Sequence, residues 1–129
     1  MEIKKTGNPN GKSVMLLHGN LMCSKQYREL IPLLEKDCTV YAVSFDGFDG
    51  TGKTTYTTAE DQAEKLADYI EKNCGAGLIC CLRSHLAAVL RWFSARCKGC
   101  LLVRQQGGAY EKGSGKAESG ISQAYRILL

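Results

Sequence analysis

The apolar positions change their period along the chain, and each change marks an element. Ser13-Val-Met-Leu-Leu17 is a short apolar run that ends at His18-Gly19. A run of that length, closed by a turn signal, predicts a buried strand. Thr39-Val-Tyr-Ala-Val-Ser-Phe45, rich in β-branched and aromatic residues, predicts a second strand, closed by Asp46-Gly47. Between them, Tyr27, Leu30, Ile31 and Leu34 follow helical spacing within Ser24 to Lys36. Pro32 interrupts that pattern, which predicts a kink or a helix that starts twice.

A longer helix should follow. Thr57 and Glu60 stand at capping-box spacing, and Asp61 adds negative charge to the first turn. Ala63, Leu66, Ala67 and Ile70 share one face, and Lys72 and Asn73 lead to Gly75, a natural stop. Leu78-Ile-Cys-Cys81 then predicts a third buried strand. Strand, helix, strand, helix, strand in this order implies parallel pairing in an α/β sheet.

Past Cys81 the pattern fades. Leu86, Val89, Leu90 and Phe93 outline a short helix. From Arg104 to Gly120 the chain is polar, with glycines at 107, 108, 113, 115 and 120 and no apolar period. Such a stretch cannot bury enough surface to offset the entropy of ordering, so it predicts an irregular or disordered tail. The expected organisation is an α/β part over residues 1–82, a poorly patterned segment with a short helix over 83–103, and a Gly-rich tail over 104–129.

Composition adds limits. The chain of 129 residues suits one small domain. It has no long apolar run and no basic-then-apolar amino terminus, so neither a membrane span nor a signal peptide is expected. Seven cysteines, an odd number without a secretion signal, read as reduced thiols in a cytoplasmic protein. Cys97 and Cys100 form a lone CxxC pair, with His85 the only histidine near it. A structural zinc site needs four ligands, so no metal is expected. Charge is uneven: residues 1–82 carry nine Lys/Arg against eleven Asp/Glu, and residues 83–129 carry eight against two. A basic half is one footprint of nucleic-acid binding, but a second explanation, below, calls for no nucleic-acid partner.

Two motifs compete for residues 18–54. Gly47-Phe-Asp-Gly-Thr-Gly52-Lys53-Thr54 fits the GxxxxGK[ST] phosphate loop at every fixed position and resembles the loop of thymidylate-kinase-like enzymes. Such a loop would place Lys53 toward terminal phosphates and Thr54 on magnesium. A working loop of this kind feeds straight into a helix. Here Thr54-Thr-Tyr-Thr-Thr58 follows, a poor first turn, and the capping signal comes only at Thr57.

The second motif is the turn His18-Gly19-Asn20 after a strand. Acyl transfer builds negative charge on a carbonyl oxygen, and backbone N–H groups must be aimed at it in advance. His18 to Leu34, with Tyr27 inside it, resembles the oxyanion turn, aromatic residue and first helix of α/β hydrolases. Thr39 to Gly47 resembles the next strand with its Asp-x-x-Gly loop, and Thr57 to Ile70 resembles the helix before the nucleophile strand. The resemblance covers about residues 1–82 in the correct order. It implies a partial α/β-hydrolase-type parallel sheet flanked by helices, and hydrolysis of an ester or related bond by a serine nucleophile. It further implies a small-molecule substrate, no cofactor, and an oxyanion hole framed by Gly19, Asn20 and Leu21, with the Asn20 or Leu21 N–H as donor.

The family pattern then fails. A nucleophile elbow reads GxSxG, whereas this chain reads Leu82-Arg83-Ser84-His85-Leu86. Ser84 occupies the nucleophile position, but leucines replace both glycines and oppose the strained, close-packed turn. The only histidines are His18 and His85, and the acidic residues after Ser84 are Glu111 and Glu118. No Ser–acid–His set in family order can be assembled, so the chain is expected to be a truncated and inactive hydrolase-like protein. A shift of reading frame near residues 81–83 would account for the failed elbow, the charge step and the Gly-rich ending together. Read two bases into each codon, Leu82 to Ala88 can encode Ala-Val-Ser-Leu-Gly-Gly-Ser, an elbow-like sequence. The other function classes are a kinase-like nucleotide binder using Gly47, Gly52, Lys53 and Thr54, and a non-enzymatic binding fragment.

Overall fold

The computed structural model describes residues 1–19, 21–74, 78–82 and 101–104. Their strands are β1 (Glu2–Gly7), β2 (Lys12–Leu17), β3 (Cys38–Ser44), β4 (Ile79–Leu82) and β5 (Leu101–Arg104). A 3-10 segment (Ser24–Tyr27) and the helices α1 (Ile31–Leu34) and α2 (Ala59–Asn73) connect them. The strands form one sheet in the order β1-β3-β2-β4-β5. Pairing is parallel from β3 through β5, while β1 runs antiparallel to β3 along the edge.

The expected parallel α/β sheet is present, with β2 between β3 and β4. Alternation along β2 and β3 explains its two layers, because successive side chains point to opposite faces. Met15, Leu17, Tyr41, Val43 and Phe45 meet Ala63, Leu66 and Ile70 of α2 on one face. Val14, Leu16, Cys38 and Val40 meet Tyr27, Leu30 and Leu34 on the other. β2 and β3 are covered on both faces, which is why their sequences read as continuous apolar runs.

Pro32 acts as the sequence anticipates. The chain makes a 3-10 turn over Ser24–Tyr27, then restarts as the short α1 with proline in its first turn. In α2 the cap is one residue later than the capping-box spacing implies. Thr58, extended at φ −134°, accepts a hydrogen bond at its side chain from Asp61 N at 3.1 Å. Thr57 instead donates its hydroxyl to the Asp61 carboxylate at 2.6 Å. Thr58→Ala should therefore cost about 1 kcal/mol, against a smaller loss for Thr57→Ala, as read from urea unfolding midpoints.

Two strands lie outside the sequence expectation. β1 carries Glu2, Lys4 and Lys5, and a charged edge strand has no apolar run to betray it. Its end is closed by Gly7 at φ +89°, where a Cβ would lie 2.3 Å from the Cys38 carbonyl oxygen. Only glycine satisfies both the conformation and the approach. β5 crosses the expected boundary at residues 103 and 104, so Leu101–Arg104 belongs to the sheet and not to an unpatterned segment or tail. The anticipated helix at 86–93, the stop at Gly75, the Cys97/Cys100 pair and the Gly-rich stretch beyond Arg104 lie outside the described residues.

Among the described residues, no helix is long and apolar enough to cross a membrane. No cluster of three or more potential metal ligands occurs among them either.

Candidate functional site

In open α/β sheets, ligands bind beyond the carboxyl ends of the strands, where neighbouring connections leave in opposite directions. That point here lies between β2 and β4. β2 connects toward β3 on one side, and β4 pairs with β5 on the other. Leu17 and Leu82 are register partners, so the chain leaves β4 beside the strand end that leads into His18-Gly19. Ser84 follows Leu82 by two residues in sequence, but Ser84 and His85 lie outside the described residues, as does Asn20.

The turn after β2 is tightly held. Met22 N donates to the Gly19 carbonyl at 3.3 Å, closing residues 19–22 as a turn. Leu21 sits in the left-handed region at φ +58°, and its side chain is 88% exposed. A non-glycine residue there stores strain of about 1 kcal/mol or more, and packing of its own side chain does not offset it.

His18 anchors this turn to the sheet. The ring is buried. Phe45 N, just past β3, donates to His18 Nε2 at 2.9 Å, and His18 Nδ1 lies 2.8 Å from the Gly19 carbonyl. The first bond requires Nε2 to be an acceptor, so the proton resides on Nδ1 and the second bond is a donation to Gly19. The imidazole is neutral in this arrangement, and burial lowers its pKa further than the Gly19 bond raises it. His18 thus holds the turn through two backbone groups, and its ring nitrogens are occupied. The Tyr27 hydroxyl donates to the Leu17 carbonyl at 2.6 Å, securing the end of β2 from the other layer. Ser24 N donates to Ser44 Oγ at 3.1 Å, and Ser44 Oγ donates to Ser24 Oγ at 2.8 Å.

A polar network follows β3, and the sequence pattern gives no notice of it. Asp46 is buried. Its N–H donates to Gln62 Oε1 at 2.9 Å, and Gln62 Nε2 donates back to Asp46 Oδ2 at 3.0 Å. Lys65 Nζ reaches the same oxygen at 2.7 Å and Asp61 Oδ2 at 2.8 Å, while the Met1 amine bonds Asp46 Oδ1. Bonds from Lys65 and Thr57 hold the Asp61 carboxyl below the ordinary range. The available signal was Gln62 itself, which stands four residues before Leu66 on the buried face of α2.

The phosphate-loop residues adopt a different arrangement from a nucleotide cradle. α2 begins at Ala59, beyond Thr54-Thr-Tyr-Thr-Thr58, so no helix N-terminus follows Lys53-Thr54. Three of the loop's N–H donors are taken by its own side chains: Gly47 N donates to Thr54 Oγ1, Thr51 N to Asp49 Oδ1 and Lys53 N to Thr51 Oγ1. Thr54 Oγ1 donates to Asp49 Oδ2 at 2.6 Å. With Thr51 also bonded to it, the Asp49 carboxyl falls to about 2. An anionic carboxylate thus accepts three of the loop's own donors. Magnesium–ATP should produce no rise in melting temperature, and Lys53→Ala should leave that null result unchanged in a thermal-shift titration.

Aromatic rings wall the loop side of the turn. Phe45 and Phe48 lie 4.8 and 5.7 Å from the His18 ring, and Tyr56 lies 5.8 Å from Phe48.

The fold resembles that of α/β hydrolases. A putative α/β hydrolase family protein from Desulfitobacterium hafniense matches with a TM-score of 0.70 at 18% identity, over 96% of this chain and 49% of its own. A marine microorganism esterase matches with a TM-score of 0.67 at 16% identity, over 98% and 48%. A loop variant of the haloalkane dehalogenase DbeA from Bradyrhizobium elkanii matches at 0.66 and 23% identity, over 79% and 35%. The chain therefore spans between about a third and a half of the length of these structures. No protein-family model and no curated protein sequence matches it.

Proposed function

We propose that the chain is the amino-terminal part of a hydrolase-type domain, carrying an oxyanion turn without a complete catalytic triad. The ancestral reaction is hydrolysis of an ester or related bond in a small-molecule substrate by a serine nucleophile. The observation that carries this reading is the Leu17–Leu82 pairing. It sets the strained turn after β2 beside the point where a nucleophile segment would leave β4.

In this reading Gly19, Asn20 and Leu21 frame half of an oxyanion hole, and the Asn20 or Leu21 N–H is the donor. The His18 tie supports it chemically. The bond from His18 Nδ1 fixes the Gly19 carbonyl at the start of that turn. Ser84 holds the nucleophile position without the glycines that its turn requires. With no base or acid in family order, only a small residual acceleration from the turn and binding is expected.

The gene sequence tests the origin of this state. If the frame two bases into each codon from Leu82 continues as an open hydrolase-like sequence with an elbow serine, a late Asp and a late His, the reading stands. If that frame closes within a few codons, residues 83–129 are a sequence in their own right and the frame-shift explanation is lost.

A further inference from the structure

We propose that His18 is an acid-released latch: as a neutral ring it ties the Gly19–Met22 turn to the end of β3, and a proton on Nε2 breaks the tie. The proposal stands on hydrogen-bond geometry and holds whether or not the chain hydrolyses anything. Phe45 N is a backbone donor 2.9 Å from Nε2. An imidazolium is a donor at both nitrogens, so protonation places two donors face to face at that distance. The Nδ1 bond to the Gly19 carbonyl can survive, but the bond that reaches across to β3 cannot.

The surroundings favour a sharp response. The ring is buried against Phe45 and Phe48, which supply no acceptor to stabilise a new positive charge. The titratable groups on the neighbouring elements do not bond the ring. On the turn and 3-10 segment these are Cys23, Lys25 and Tyr27, whose hydroxyl donates to Leu17. At the end of β3, Asp46 is bonded to Gln62, Lys65 and the Met1 amine. On the following loop, Asp49 is bonded to Thr51 and Thr54, and Tyr56 packs on Phe48. On α2, Asp61 and Lys65 bond each other. Among the described residues none of these is bonded to His18, whose partners are the Gly19 carbonyl and the Phe45 N–H.

The sign follows from linkage. Burial holds the folded ring below its ordinary value of 6.5. The opened or unfolded state binds the proton more readily, so protection is full above that value. It falls as the pH drops from there toward the folded pKa. The opening equilibrium should rise by up to about tenfold per pH unit across that window.

Amide hydrogen exchange on the full chain measures it, with rates corrected for the intrinsic pH dependence. The Phe45 amide should lose protection between pH 7 and 5 in the wild type and in His85→Gln. It should show a flat profile in His18→Gln, whose side chain offers an acceptor and a donor but does not titrate. A wild-type Phe45 profile that is flat across this range overturns the proposal, as does a His18→Gln profile that keeps the wild-type slope. If His18→Gln fails to fold, the wild-type ring-proton titration by NMR decides. A His18 midpoint coinciding with Phe45 deprotection supports the latch. Titration of His18 with Phe45 still protected refutes it.

Discussion

Leu66→Ala should destabilise the chain by about 2–5 kcal/mol, read as a lower urea midpoint with little change in slope. Leu66 is fully buried on α2 and packs within the cluster that joins Met15, Leu17, Tyr41 and Val43 of the two central strands. α2 is the only described helix of more than one turn, so one face of the sheet depends on it. Removing the side chain loses the transfer free energy of the deleted carbons and leaves a cavity among residues that are themselves fixed by strand pairing. A midpoint shift equivalent to less than about 1 kcal/mol would show that α2 does not cover the sheet as described.

Asp46→Ala should have the second largest effect, about 3 kcal/mol. The carboxylate is buried, and its loss takes from Gln62 Nε2 its buried acceptor, leaving only Asp61 Oδ2 at 3.0 Å. Gln62 is fully buried, so water does not replace that bond freely. Lys65 contributes less to the loss, because its side chain is 45% exposed and keeps Asp61 as a partner. Gln62→Leu should cost less in the Asp46→Ala background than in the wild type, because only one of the two reciprocal bonds between these positions is left to lose. Equal costs of Gln62→Leu in the two backgrounds would contradict the coupling between β3 and α2.

The sequence pattern exposes the parts of this fold that rest on burial. β2 and β3 are buried on both faces, so their apolar runs are visible, and the α2 face of Ala63, Leu66, Ala67 and Ile70 is visible by its period. β1 is hidden because an edge strand protects itself with Lys4 and Lys5. The cap at Thr58 rather than Thr57 is hidden because adjacent threonines offer the same side chain, and only backbone geometry chooses between them.

The site divides in the same way. His18-Gly19 is legible as a turn after a strand, and the helix delay after Lys53-Thr54 is legible from the threonine run. The bond from Phe45 N to His18 is not, because it joins positions 27 residues apart. Nor is the Asp46–Gln62 exchange, which depends on α2 crossing beside the end of β3.

The central claim is a hydrolase-type turn without a working nucleophile. Its most direct test is turnover of a short-chain p-nitrophenyl ester by the full chain and by Ser84→Ala. The expected result is a low rate that the substitution leaves unchanged. A saturable rate well above background in the wild type, abolished by Ser84→Ala, would contradict the claim and establish Ser84 as a nucleophile.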